Sequence, residues 1–121
     1  MKEHSLYRAT KLYIEERPPE EIGNLKPRDI AKKFNVSISY LSRIFSKYCP
    51  ITLRQYLEMY VMLNFHDIVN RMAGPNLKEV LARMKINDIN YFIRRYKERY
   101  SHTPGSYCKR LREARKKENK K

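Results

Sequence analysis

Apolar residues recur three and four positions apart through most of the chain, and the runs break at proline, asparagine, glycine or short capping residues. This is the pattern of successive amphipathic helices. From Ser5 to Arg17 the positions Leu6, Ala9, Leu12, Tyr13 and Ile14 keep helical spacing. Pro18-Pro19 stops that helix, and Glu20 to Lys26 is read as a connecting loop. Pro27 suits the first turn of a new helix whose apolar face is Ile30, Ala31 and Phe34. Asn35 ends it, because asparagine tolerates the left-handed backbone of a sharp turn, and Val36 plugs the angle. Ser37 or Ser39 can cap the following helix, which Leu41, Ile44 and Phe45 anchor. Its other face holds Ser39, Ser42, Arg43, Ser46 and Lys47, short hydrogen-bonding groups and cations with almost no acid. Two short helices at a tight turn, the second polar and basic outward, make a helix-turn-helix pattern.

Cys49-Pro50 closes that motif, and Thr52 with Gln55 signals a capping box for a long helix from about Leu53 to Arg71. At 1.5 Å per residue it spans about 28 Å. Its run Met59, Tyr60, Val61, Met62, Leu63 and Phe65 is too apolar for one face, as expected of a connector packed by two half-domains. After Gly74-Pro75, Asn76 with Glu79 opens a short helix bearing Leu77, Val80, Leu81 and Met84. Lys85-Ile86-Asn87 turns the chain, and Asn87 or Asp88 caps a helix with Tyr91, Phe92, Ile93 and Tyr96. Thr103-Pro104-Gly105 starts a last short helix, and the basic tail from Lys109 to Lys121 is expected to fray.

The chain repeats itself. At an offset of 50, Ile30, Phe34 and Val36 pair with Val80, Met84 and Ile86. At 51, Tyr40, Leu41, Arg43, Phe45, Thr52 and Tyr56 pair with Tyr91, Phe92, Arg94, Tyr96, Thr103 and Tyr107. Matches at core, cap and outward positions together indicate a duplicated helix-turn-helix with one residue inserted at the second turn. The expected fold is therefore all-α, with two helix-turn-helix subdomains bridged by a long linker helix, about seven helices in all. The divisions are 1–51, 52–73 for the linker, 74–113, and 114–121 for the basic tail. A single chain could then read two adjacent major-groove segments, a task for which one-sided readers dimerise to span ~34 Å.

Charge sharpens this. Basic residues outnumber acidic ones 27 to 13, a net +14, and the surplus lies beyond Gly23. Such a field attracts polyanions, of which nucleic acid is the commonest for a folded basic domain. Cys49 and Cys108 are too few for a disulfide framework and lie in no metal-ligand spacing. His4, His66 and His102 are scattered, and neither a nucleophile with its base nor a glycine-rich phosphate loop is present. These features point away from an enzyme, a cofactor or a metal site. Without a membrane-length apolar run, the expectation is a cytoplasmic, nucleoid-associated protein. The regular spacing of Tyr40, Tyr56, Tyr91, Tyr96 and Tyr107 assigns them to packing rather than to base stacking.

Across Leu6 to Cys108 these residues resemble the AraC/XylS family of bacterial transcription regulators. The stretches DIAKKFNVSISYLSRIFSKY and TLRQYL carry the first unit. In the second unit the signature residues are Glu79, Asp88, Tyr91, Phe92, Arg94, Lys97, Thr103, Pro104 and Tyr107. Departures lie at Lys85-Ile86, where the family has Gly-Phe, at Ser101 for Gly and at Cys108 for Arg. In the linker, Tyr60 and His66 replace the usual Arg and Ala.

The resemblance implies sequence-specific binding of double-stranded DNA. Base contacts would come from Ser39, Ser42 and Arg43 in the first unit and from Ile89, Asn90, Ile93 and Arg94 in the second. Arginine can bind guanine through two hydrogen bonds, asparagine can read adenine, and isoleucine can touch only a thymine methyl. Phosphate contact is the alternative for either arginine. Ser37, Thr52, Asn87 and Thr103 are helix caps whose neighbouring N–H groups can hold phosphate. Lys47, Arg54, Arg95, Lys97 and Arg99 are cationic phosphate candidates. RNA polymerase and an effector domain outside this chain are the further partners implied. The rival reading is a helical protein-interaction module that binds nucleic acid by charge alone.

Overall fold

The first unit is laid down by four short helices and the start of a long one, each begun by a proline or a side-chain cap except the first. The computed structural model describes residues 2–119. Among them eight helices follow in order: α1 Glu3–Glu15, α2 Pro19–Ile22, α3 Pro27–Lys33, α4 Ile38–Tyr48, α5 Leu53–Arg71, α6 Leu77–Arg83, α7 Ile89–Tyr100 and α8 Pro104–Asn119. The described residues hold no strand, so the fold is all-α. Two compact units divide at α5, Met1–Val61 and Met62–Lys121.

In the first unit α1 buries Leu6, Thr10 and Ile14, and Leu12 is exposed. Of the set expected from spacing, Leu6 and Ile14 are buried, Ala9 and Tyr13 are half-buried, and Leu12 alone faces solvent. Thr10 joins the core because its hydroxyl donates to the Leu6 carbonyl at 2.8 Å, which removes the cost of burying it. The segment read as a loop after Pro18 contains α2. Pro19 preorganises its first turn, Ile22 is fully buried beneath it, and Arg17 pairs with Glu21 at 3.2 Å. Leu41, Ile44 and Phe45 fix α4, with the Phe45 ring 5.3 Å from both Tyr7 and Tyr56. Leu53, Tyr56 and Leu57 of α5 complete this core.

The second unit is built around the later part of α5, where Met62, Phe65 and Val69 are buried. Phe65 meets Phe92 at 5.3 Å and Tyr96 at 5.4 Å. The connector's buried residues therefore divide between two cores, whereas within the apolar run Met59, Tyr60 and Val61 are half-buried and Leu63 is 50% exposed. His66 and His102, scattered in sequence, share one aromatic cluster. His66 Nε2 lies 2.8 Å from the Tyr96 hydroxyl, and its ring packs against Tyr100 and Tyr107, while His102 stacks on Tyr107. Burial, and secondarily the nearby His102, hold the His66 pKa below its ordinary value. Between the folded pKa and about 6.5 the unfolded chain binds a proton that the folded one does not. Stability is then complete above that window and declines as pH falls through it. Wild type is expected to lose more thermal stability than His66→Gln between pH 8 and 5.5. Equal losses would remove His66 as the cause.

The tail is helical rather than frayed, since α8 runs to Asn119; Lys120 and Lys121 lie outside the described residues. Two arginines account for this. Arg112 Nη1 donates to the Pro75 carbonyl and Arg115 Nη2 to the Asn70 carbonyl, each at 2.6 Å. Both bonds give α8 partners beyond its own first turns.

The two turns are copies. Val36 N–H donates to the Ala31 carbonyl at 3.0 Å, and Ile86 N–H to the Leu81 carbonyl at 3.1 Å. Each turn passes through one left-handed residue, Asn35 at φ 55° and Lys85 at φ 53°, and α7 ends on a third, Ser101 at φ 64°. Lys85 and Ser101 stand where the resembling family has glycine, and here the backbone shows why glycine suits both places. The left-handed form costs a residue with a Cβ roughly 1–2 kcal/mol, whereas glycine loses about 0.4–1 kcal/mol through unfolded-state entropy. Relief of backbone strain outweighs that entropic loss. Lys85→Gly is expected to raise stability by up to about 1 kcal/mol on urea unfolding. A decrease would mean that the Lys85 side chain contributes more than its backbone costs.

Candidate nucleic-acid interface

Each unit presents the outward face of its second motif helix. In the first, the Ser37 hydroxyl accepts the Tyr40 N–H at 3.1 Å and so begins α4; Ser37 rather than Ser39 is the cap. Burial of Leu41, Ile44 and Phe45 turns Ser39, Arg43, Ser46 and Lys47 to solvent, with Ser42 half-buried beside them. In the second unit the Asp88 carboxylate accepts the Tyr91 N–H at 3.0 Å, so Asp88 and not Asn87 caps α7. Asn87 is exposed and is the residue inserted between the two halves of the repeat. Burial of Phe92 and Tyr96 leaves Ile89, Asn90, Arg94 and Lys97 exposed, with Ile93 half-buried.

The remaining phosphate candidates differ in availability. Thr52 accepts the Gln55 N–H at 3.1 Å while Gln55 Oε1 accepts the Thr52 N–H at 2.9 Å, a reciprocal capping box. Thr103 accepts the Ser106 N–H at 3.1 Å. Both threonines are occupied as caps, Thr52 exposed and Thr103 half-buried. Arg54 and Arg99 are exposed, and the Arg99 guanidinium lies 5.9 Å from the Tyr100 ring centre. Arg95 is half-buried and bound to Glu98 at 2.6 Å. Lys47 is claimed by Glu3, whose carboxylate accepts its ammonium at 2.8 Å. The hydrogen bond and the ion-pair attraction lower the Glu3 pKa and raise that of Lys47. Glu3 thus places one negative charge beside the last turn of α4, which the mixed charge of α1 gives no reason to expect.

Two features of the outward faces do not follow from core spacing. Tyr91, expected to pack, is 41% exposed, whereas the paired Phe45 and Tyr96 are core. Ile38 lies outside the expected contacts, yet it is 48% exposed where its equivalent Ile89 is 47% exposed. The offset of 51 that pairs Tyr40 with Tyr91 also pairs these two isoleucines, and that signal is present in the sequence. Among the described residues, no group of three His, Cys, Asp or Glu side chains is placed to hold a metal ion. No helix among them is long and apolar enough to cross a membrane.

Two capped, cation-bearing helices, each preceded by a short helix and a left-handed turn, define a duplicated helix-turn-helix domain. The chain matches the family model described as "Helix-turn-helix domain" over residues 30–110, more than half its length, and belongs to that family, the AraC-type helix-turn-helix of DNA-binding transcription regulators. It is similar to YijO of Escherichia coli K12, described as an uncharacterized HTH-type transcriptional regulator, with 28% identity over 103 residues. That match covers 85% of this chain but 35% of the relative, so the chain spans about a third of that protein's length. Among solved structures it is similar to the C-terminal domain of AraT, a response regulator from Geobacillus stearothermophilus, with a TM-score of 0.72 and 22% identity. The match covers 86% of this chain and 84% of that one, and it shows a shared fold.

Proposed function

We propose that this chain binds double-stranded DNA at specific sequences, as the reading module of a bacterial transcription regulator. Each unit places its recognition helix, α4 or α7, in a major groove. The observation that carries this reading is the repetition of cap, left-handed turn and outward arginine in both units, at Ser37, Asn35 and Arg43 and again at Asp88, Lys85 and Arg94. Building a core requires none of the outward matches. Arg43 and Arg94 read guanine, Ser39, Ser42 and Asn90 hydrogen-bond to base edges, and Ile89 and Ile93 contact thymine methyls. Ser37, Lys47, Thr52, Arg54, Asn87, Arg95, Lys97, Arg99 and Thr103 serve the phosphates, through side chains or the N–H groups of the helix starts they cap. As further partners of this reading module we assign RNA polymerase at the promoter and an effector domain.

Selection of bound fragments from a random DNA library tests the reading. The expected result is an enriched, asymmetric sequence motif. Uniform, salt-sensitive retention of every fragment would instead support a module that binds by charge alone. The Glu3–Lys47 pair supplies a second test. Glu3→Gln is expected to tighten binding to all sequences and to steepen the dependence of log K on log salt by about one, because Lys47 then meets phosphate without a competing carboxylate. An unchanged slope would exclude Lys47 from the phosphate contacts.

A further inference from the structure

The two outward arginines share one arrangement, a tyrosine ring three residues earlier on the helix, whereas Lys47 and Arg99 lie 5.6 and 5.9 Å from the ring of the residue that follows them. The Arg43 guanidinium lies over the Tyr40 ring, 5.3 Å from its centre, and the Arg94 guanidinium lies over the Tyr91 ring at 5.4 Å. In each unit the ring sits three residues before the arginine, so the two side chains are adjacent on the helix surface. Each tyrosine is held in turn by the cap, since its own N–H is the one bonded to Ser37 or Asp88. The cap thus fixes the backbone from which each ring projects, and the ring lies against the arginine, in both copies.

Packing accounts for the rings only in part. Tyr40 is half-buried and Tyr91 is 41% exposed, whereas Tyr56 and Tyr96 are buried. Neither ring is core, and each lies under the arginine that faces outward, which gives the pair a further use. Free arginine carries several rotatable bonds and loses their freedom on binding, so a side chain already held in one arrangement binds with less loss. A ring face attracts the guanidinium and supplies that restraint.

We propose that Tyr40 and Tyr91 are positioning residues for DNA recognition, which hold Arg43 and Arg94 for two-point contact with guanine. The inference rests on the DNA-reading function proposed above and adds the residues that set its specificity. Two consequences separate this from a structural role. The aromatic ring matters and the hydroxyl does not. The effect is also confined to the base pair read by the arginine above that ring.

The test uses the full chain and the sequence selected from the random library, with relative affinities measured for each base at each position. Tyr40→Leu is expected to reduce the preference for guanine at the Arg43 position by about 2- to 5-fold, the span of an exposed cation–ring interaction. Tyr40→Phe is expected to retain it. Tyr40→Leu combined with Arg43→Ala is expected to lower that preference no further than Arg43→Ala alone. Tyr91→Leu is expected to act in the same way on the Arg94 position, and its exposure makes it the variant safest for folding. Circular dichroism and thermal unfolding check that both leucine variants remain folded. A uniform loss across all base pairs, an unchanged profile, or a loss shared by Tyr40→Phe would overturn the proposal. Failure of the wild-type chain to select any sequence would instead defeat the DNA-reading function itself.

Discussion

Phe45→Ala is expected to cost about 3–5 kcal/mol, the span found for removing a buried phenylalanine ring. Phe45 is fully buried, and its ring touches Tyr7 of α1 and Tyr56 of α5, so one substitution loosens two helices from α4. Small domains have total stabilities of about 5–15 kcal/mol, and a unit of this size lies toward the low end. The loss is therefore enough to unfold much of the first unit, and with it the placement of Ser39, Ser42 and Arg43. Urea unfolding followed by circular dichroism measures it, with a lower midpoint expected for the half of the signal that belongs to Met1–Val61. A cost under about 1 kcal/mol would show that α4 is held by Leu41 and Ile44 alone.

Arg43→Ala is expected to leave folding nearly unchanged and to remove discrimination at one base pair by roughly 1–3 kcal/mol, about 5- to 150-fold in relative affinity. Arg43 is exposed, so its loss opens no cavity. The contrast with Lys47→Ala identifies the mechanism. In the proposed complex Lys47, at the last turn of α4, meets phosphate as a point charge, so its removal is expected to weaken all sequences alike. Competition binding against a panel of single-base variants of the selected site separates the two patterns. An Arg43→Ala profile parallel to wild type would move Arg43 from the bases to the phosphates.

Most of the fold was legible because it depends on periodicity and on local chemistry with few alternatives. The bounds of α5, the left-handed Asn35 and the Thr52–Gln55 box all follow from residue types at fixed offsets. What escaped depends on tertiary partners and on side-chain bonds. Thr10 enters the core through a bond to its own helix, α2 forms because Ile22 finds a buried place, and α8 is extended by arginines that reach Pro75 and Asn70. None of these is marked by an apolar period.

The outward faces were legible in a different way. Buried anchors determine which residues of α4 and α7 point outward, so Ser39, Arg43, Asn90 and Arg94 could be located from Leu41, Phe45, Phe92 and Tyr96. Their pairings could not. Glu3 reaches Lys47 across 44 positions, and the fit of the tyrosine rings beneath Arg43 and Arg94 depends on side-chain direction along the helix. Spacing gives the face, whereas geometry gives the neighbours.

The central claim is that one chain carries two readers, each with its own arginine in a major groove. Dimethyl sulfate protection of guanine N7 on the selected fragment tests it most directly, because that atom is the arginine's acceptor in the major groove. Two groups of protected guanines are expected in the wild-type complex, with Arg43→Ala exposing one group and Arg94→Ala exposing the other. Loss of the same group in both variants, or no protected guanine in the wild-type complex, would contradict it.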